Sequence, residues 1–365
     1  MKKIMNKTNV VFRNLIYFLP YTLSLSLPAS AIIGCYIGGV WALLTIFVGY
    51  VLLPVADIIL YKFLDKNYLD PKEDMKFLYL CRLLVWFALP MQLIVIFYVG
   101  YQIYIGDMLL YEKIFITLSA GISGGAFGIT AAHELIHQRK IERFLARVLL
   151  WSTCYAHFCT EHVRGHHVNV GTHQDPATSR LGESLYRFLP RTIYGSFISA
   201  WKLESDRLSR KKIYNMFLHH KILQDLYIYF IIFVCLILLG SMDVLLFFFG
   251  CSLIAVIELE TVNYIEHYGL FRKKLKSGKL EVQSSKHSWS SNYLLTNWSL
   301  FNLPLHADHH NFAGKPYYRL IDDQQAPQLP SNYSLMVLLA LVPFLWMKIM
   351  DPRAKQAMQD SVVNS

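Results

Sequence analysis

From Leu15 to Ala56 the chain contains no Asp, Glu, Lys, Arg or His. A helix crosses a bilayer with roughly 20 apolar residues, so this stretch predicts two spans joined by a tight turn. Further charge-free stretches run over Leu83–Gly106, Ile114–Ala132, Leu226–Met242 and Val244–Ile257, the last extended by Glu258–Val262. The pattern predicts three helical hairpins and six transmembrane helices. Ser331–Met347 is a seventh apolar run, but Pro343 and its short length predict a helix lying on the surface or packed against the bundle. In the fourth span, Gly121/Gly125 and Gly124/Gly128 form overlapping GxxxG pairs. Small residues at that spacing let helix backbones approach closely in lipid, so they predict a packing face. No internal repeat interrupts the pattern, and residues 1–365 read as one all-α domain.

Composition agrees with that reading: 54% of residues are hydrophobic and 16% charged, the balance of a membrane protein. Lys2, Lys3 and Lys7 precede the first apolar stretch as in a signal peptide, yet the stretch runs straight into a second span, so no cleavage is expected. With the N-terminus inside and six crossings, Lys113 is the one basic residue of 35 left outside. The positive-inside rule then puts both termini and every histidine cluster on the cytoplasmic side of the inner membrane. The net charge of +10 describes a basic cytoplasmic face and calls for no nucleic-acid partner. That face includes Arg207–Lys212 and Arg272–Lys276. Six scattered cysteines with no CxxC pair read as buried small hydrophobes.

Nine of the fourteen histidines fall into four clusters at or just past the ends of apolar segments. They are HELIH (His133, His137), EHVRGHH (His162, His166, His167), NYIEHYG (His267) and HADHH (His306, His309, His310). So many neutral nitrogen donors are most simply a coordination shell, too large for one metal ion and suited to two. On a helix, His133 and His137 at i and i+4 share a face, as do His162 with His166 and His306 with His310. Adjacent histidines point apart, so His166 and His167 are expected to serve different ions. Each cluster also supplies a carboxylate that could orient a ligand: Glu134, Glu161, Glu266 and Asp308. HExxH alone would suggest a zinc metalloprotease with Glu134 as base, but a protease has no use for seven more histidines. A metal carrier is a poorer reading, since the clusters lie outside the spans. An all-imidazole shell points to iron with open positions for oxygen. Asp175 and Arg180 in DPATSR are expected to form a bracing ion pair, and His219 and His220 to lie at the surface.

Taken together, HELIH, EHVRGHH with DPATSRLGES, NYIEHYGL, HSWSSN and LHADHH resemble the integral-membrane alkane 1-monooxygenases of the membrane desaturase–hydroxylase superfamily. The resemblance runs from about Trp41 to Arg353. It implies a di-iron centre held by the nine histidines, with O2 as co-substrate and hydroxylation of a terminal methyl group. It also implies electrons from rubredoxin, itself reduced by a rubredoxin reductase. Without CxxC pairs here, the rubredoxin is expected to be a separate protein. A xylene-type methyl hydroxylase or a fatty-acyl desaturase of the same superfamily is the alternative. Two departures stand out: Pro304-Leu305 where the family usually has Gln-Arg, and a histidine at position 173. A hydrocarbon substrate would enter from the bilayer, with Trp41, Phe47 and Trp86 as candidate channel residues.

Overall fold

The computed structural model describes residues 17–61 and 79–363. Lys2, Lys3 and Lys7 lie outside the described residues. Six helices are long and apolar enough to cross a membrane: α1 (Leu19–Ile37), α2 (Gly39–Tyr61), α3 (Tyr79–Ile105), α4 (Leu110–Ile136), then after two long intervening helices and several short helical turns Lys221–Leu238 and Met242–His267. The intervening pair are α5 (Lys140–Trp151) and α6 (Leu185–Arg210); the last two spans are accordingly α7 and α8. No strand occurs among the described residues. The chain is an all-helical, multi-pass membrane protein, as the hydropathy predicts.

The tight turn inside the first apolar stretch is Gly38, whose positive φ of 75° ends α1. The backbone N–H of Gly39 then donates to Glu112 Oε1 at the start of α4 (2.6 Å), which also accepts from Leu109 N–H through Oε2 (2.8 Å). At the same end of the bundle Lys113 is ion-paired with Asp243 at 2.7 Å. Large apolar side chains such as Phe97, Leu110, Phe230 and Leu246 face outward around the bundle. A belt of that extent is stable only against lipid.

One helix organises the rest. In the apolar window of α4, 67% of residues are buried, against 11% in α7, so α4 is the hub and α7 an outer post. Both glycine pairs act as packing faces. A Cβ on Gly121 would lie 2.5 Å from Ile254 Cβ, and one on Gly125 2.7 Å from Glu258 Cβ, so this pair seats α8. Gly124 and Gly128 face the Gln92 side chain of α3. The offset between 121 and 254 equals that between 125 and 258, so α4 and α8 run parallel and in register. His133 follows Gly121 by twelve residues and His267 follows Ile254 by thirteen. At 1.5 Å per residue those rises are roughly 18 and 20 Å, which puts two distant histidines at one height.

The third histidine-bearing segment is tied to the same end. Asp57, at the foot of α2, accepts hydrogen bonds from the backbone N–H groups of Leu295 and Thr296 (both 2.9 Å) and from the Thr296 hydroxyl (2.6 Å). It thereby caps α9 (Leu294–Ser299) from another part of the chain. The short α10 (His306–Asn311) follows. The seventh apolar run divides into α11 (Tyr333–Ala340) and a last helix beginning at Pro343, bent by 120°. It packs against α8, as expected. His220 differs from expectation: it is buried, packed at a tilt against Trp201 with ring centroids 4.4 Å apart, and accepts from the Leu223 N–H.

The uneven placement of basic residues makes a topological test simple. A reporter fused after Asp107 should behave as external and one after Ser365 as internal. The reverse pattern, read by reporter activity or thiol labelling, would put the histidines outside the cell.

Candidate metal centre

Nine histidine rings converge at the end of the bundle where α4 and α8 terminate. They sort into two groups of four whose potential ligand atoms lie within 4.8 Å of one another: His133, His137, His162 and His309; and His166, His267, His306 and His310. His167 completes the set. Its Nε2 lies 3.0 Å from His162 Nε2, while its ring centroid is 4.5 Å from that of His310.

The sorting follows from local backbone geometry. In HELIH the regular end of α4 keeps i and i+4 on one face, so His133 and His137 share a group. In HADHH, His306 and His310 share the other group with their Nε2 atoms 2.9 Å apart, and His309 points across to the first. In EHVRGHH the helical pairing of His162 with His166 does not hold. Residues His162–His166 form a π-helical turn. A π turn is wider than an α turn, so i and i+5 align instead of i and i+4. His162 therefore pairs with His167, and His166 turns to the second group. His166 and His167 thus point apart, through a π turn rather than through regular helix geometry.

The donor set fits metal ions. Nε2 of His133, His137 and His309 is buried and without a hydrogen-bond partner. Nε2 of His306 faces Nε2 of His267 at 3.2 Å, and His166 Nε2 faces His310 Nε2 at 3.3 Å. Rings that turn acceptor nitrogens toward one another in a buried space satisfy each other poorly, and a shared cation removes the conflict. Burial, reinforced by neighbouring imidazoles, holds His162, His167, His306, His309 and His310 well below the ordinary histidine range. They are thus neutral donors near pH 7. His166 is the exception: burial would lower it, but the Asp175 carboxylate at 2.9 Å from its Nδ1 raises it instead.

That carboxylate is the one the sequence reading assigned elsewhere. Asp175 does not pair with Arg180. It accepts from His166 Nδ1, from the Thr178 hydroxyl (2.6 Å) and from the Ala177 N–H (3.0 Å), while Arg180 N–H donates to Glu183 (2.9 Å). The available signal was an Asp in a turn-rich DPATS segment just after a histidine pair.

Of the four adjacent carboxylates, Glu266 touches a candidate ligand, with Oε2 3.2 Å from His306 Nε2 and Oε1 accepting from Tyr333 (3.1 Å). Glu134 accepts from Gln138 (3.1 Å), and Asp308 from Lys315 (2.6 Å) and the Ile321 N–H (3.0 Å). Both Glu161 oxygens are buried without a hydrogen-bond partner; burial pushes its carboxyl up to about 7, only partly countered by the nearby Ser199 hydroxyl. His157 and His287 stay outside the two groups. The His287 ring bonds Glu281 (2.9 Å), and its carbonyl lies 3.4 Å from His267 Nδ1.

A narrow, mostly apolar cleft lies within the bundle between α1, α2, α4, α8, α9 and α11, short of the histidines themselves. Leu27, Leu53, Ile122 and Val262 are among its apolar lining, and Thr130, one helical turn before His133, lies at its inner end. Of the aromatic residues proposed from sequence, Trp41 and Phe47 face outward and Trp86 donates to Glu142 (3.2 Å). The cleft is built from other residues.

Comparison with known proteins adds the following. The fatty acid desaturase family matches residues 113–346. The chain is 42% identical to alkane 1-monooxygenase 2 of Alcanivorax borkumensis, over 74% of this chain and 70% of that protein. It is 34% identical to the alkane 1-monooxygenase of Ectopseudomonas oleovorans, over 91% and 84%. Identity to the xylene/toluene monooxygenase hydroxylase component of Pseudomonas putida is 26%, over 94% and 89%.

Proposed function

The chain belongs to the fatty acid desaturase family, grouped there with the alkane 1-monooxygenases, and on that premise we propose that it hydroxylates the terminal methyl group of alkanes. The observation that carries the reading is the abutment of two four-histidine groups at one end of a six-span bundle that also holds an apolar cleft. The higher identity to alkane enzymes than to the xylene/toluene component favours alkanes over methyl-arenes. The protease reading has little support, because His133 and His137 share their group with His162 and His309 and Glu134 is engaged by Gln138.

One iron would be held by His133, His137, His162 and His309 with help from His167, the other by His166, His267, His306 and His310. Iron bound there would supply O2 activation with two electrons. The chain's own residues do the rest. Asp175 keeps the Nδ1 proton of His166 and so leaves Nε2 free to coordinate. Glu266 borders the second group and is itself held by Tyr333. The cleft excludes water and guides a chain end toward the histidines, drawing hydrocarbon from the bilayer where it partitions. The overall change is R–CH3 + O2 + 2 e⁻ + 2 H⁺ → R–CH2OH + H2O. Membranes containing the chain, supplied with rubredoxin, its reductase and NADH, should convert alkanes in a mixture with xylenes and fatty acids. Oxidation of the xylenes or fatty acids alone would displace this reading.

The electron donor is read as a separate rubredoxin docking on the cytoplasmic face. Within the two basic stretches, Arg207 is engaged by Glu204 (2.6 Å) and Lys273 donates to the Met358 carbonyl (2.7 Å). Arg210, Lys211, Lys212, Lys274 and Lys276 are exposed and form the surface for an acidic partner. Exposed charges are screened over about 8 Å at 0.15 M salt. Turnover at limiting donor should therefore fall as salt rises beyond that level. Reversing Lys211, Lys212 and Lys274 should raise the apparent KM for donor and leave alkane dependence alone. Donor kinetics indifferent to both changes would assign these residues to lipid headgroups.

A further inference from the structure

Most acidic side chains inside the spans are consumed by the fold. Asp57 caps α9, Asp225 accepts from Arg147 (2.7 Å) and Trp151 (2.8 Å), and Glu260 accepts from Tyr155 (2.7 Å), Thr192 (2.8 Å) and Asn263 (3.1 Å). Glu258 is different. It lies on α8 nine residues before His267, on the wall of the cleft rather than in a protein-packed pocket. The hydroxyl of Tyr50, on the facing wall from α2, donates to its Oε1, and among the described residues Tyr50 is its only hydrogen-bond partner. Around the pair the lining is Leu27, Leu53, Leu259 and Val262. A carboxyl at such depth, with an oxygen left to bond something in an apolar cleft, is a binding group by the ordinary logic of intramembrane polar residues.

We propose that Glu258 and Tyr50 bind the hydroxyl of a medium-chain 1-alkanol, holding the chain with its methyl end toward the histidines. The alcohol hydroxyl donates to the open Glu258 oxygen, and the Tyr50 oxygen can accept or relay. This rests on the oxygenase reading above and deepens it by naming a second substrate class. Spacing sets the length. Glu258 precedes His267 by nine residues, and Gly125, packed on Glu258, precedes His133 by eight, which are rises of roughly 12–14 Å. An extended chain of 1.52 Å bonds advances about 1.3 Å per carbon, so roughly nine to eleven carbons bridge the two points. Chemistry at the far methyl would run as HO–(CH2)n–CH3 + O2 + 2 e⁻ + 2 H⁺ → HO–(CH2)n–CH2OH + H2O, with electrons from the same external donor. The product is then an α,ω-diol.

The test compares binding of radiolabelled 1-nonanol and nonane to the full chain in lipid nanodiscs, with empty discs subtracted, and assays diol formation with the electron donor present. For Glu258→Leu the nonanol-to-nonane binding ratio should fall on the order of tenfold, as expected for one buried hydrogen bond to a carboxyl. Tyr50→Phe should show a smaller fall, and Glu258→Gln, which keeps an acceptor, should retain most of the preference. Wild type should form 1,9-nonanediol from 1-nonanol. If the pair only tethers α2 to α8, the substitutions will lower thermal stability while the ratio stays constant, and that result overturns the proposal. So does an absence of nonanol binding by wild type. Should wild type bind nonanol in a Glu258-dependent way yet oxidise neither compound, the oxygenase reading fails and the binding site stands.

Discussion

Alanine in place of His310 is expected to abolish hydrocarbon oxidation and to lower the iron bound per purified chain. His310 Nε2 lies 2.9 Å from His306 Nε2 and 3.3 Å from His166 Nε2, and its ring also abuts His167. It is therefore a donor to one group and a wall of the other. Its removal takes away a neutral nitrogen and leaves a polar void among rings that cannot satisfy one another. His137→Ala should also stop turnover, through the first group, where His137 sits with His133, His162 and His309. Iron analysis beside the assay separates a lost ligand from a lost fold, provided membrane insertion and melting of each variant match wild type. Normal iron content with full activity in His310→Ala would remove that residue from the shell.

Asp175→Asn should reduce iron affinity or activity by roughly 10–100-fold, the usual range when a carboxylate behind a ligating histidine is lost. Asp175 is buried and held rigidly by Thr178 and the Ala177 N–H, so it presents a fixed acceptor to His166 Nδ1. An asparagine amide can present N–H there instead. That would favour the tautomer with the proton on Nε2, the nitrogen that faces His310. Arg180→Ala should do little by comparison, since Arg180 makes no pair with Asp175. Equal losses in the two variants would restore the bracing ion pair expected from sequence, and an unimpaired Asp175→Asn would dismiss the orienting role. Asp175 also ionises more readily than usual: burial opposes this, but His166 and Thr178 outweigh it. Its acceptor role is thus maintained well into the acid range.

The six spans, a tight turn inside the first apolar stretch, the glycine face of α4 and all nine converging histidines were legible in the linear chain; that the turn falls at Gly38 was not. Each is a property of a segment or of residue type at a spacing: hydrocarbon selects long apolar runs, and costly imidazoles are concentrated only where something uses them. Which histidines share a group was not legible. That depends on the π turn at His162–His166, which exchanges i+4 for i+5, and on how α10 lies against the ends of α4 and α8. The carboxylate partners were half legible for the same reason. Adjacency suggested Glu134, Glu161, Glu266 and Asp308, yet a neighbour on a helix points to a different side. Asp175, nine residues after His166, reaches it through a folded loop. Asp57 with Leu295 and Tyr50 with Glu258 join positions more than two hundred residues apart. Hydropathy reports how each segment meets its solvent. Only packing, through the register of α4 against α8, decides which side chains the segments then bring within bonding distance.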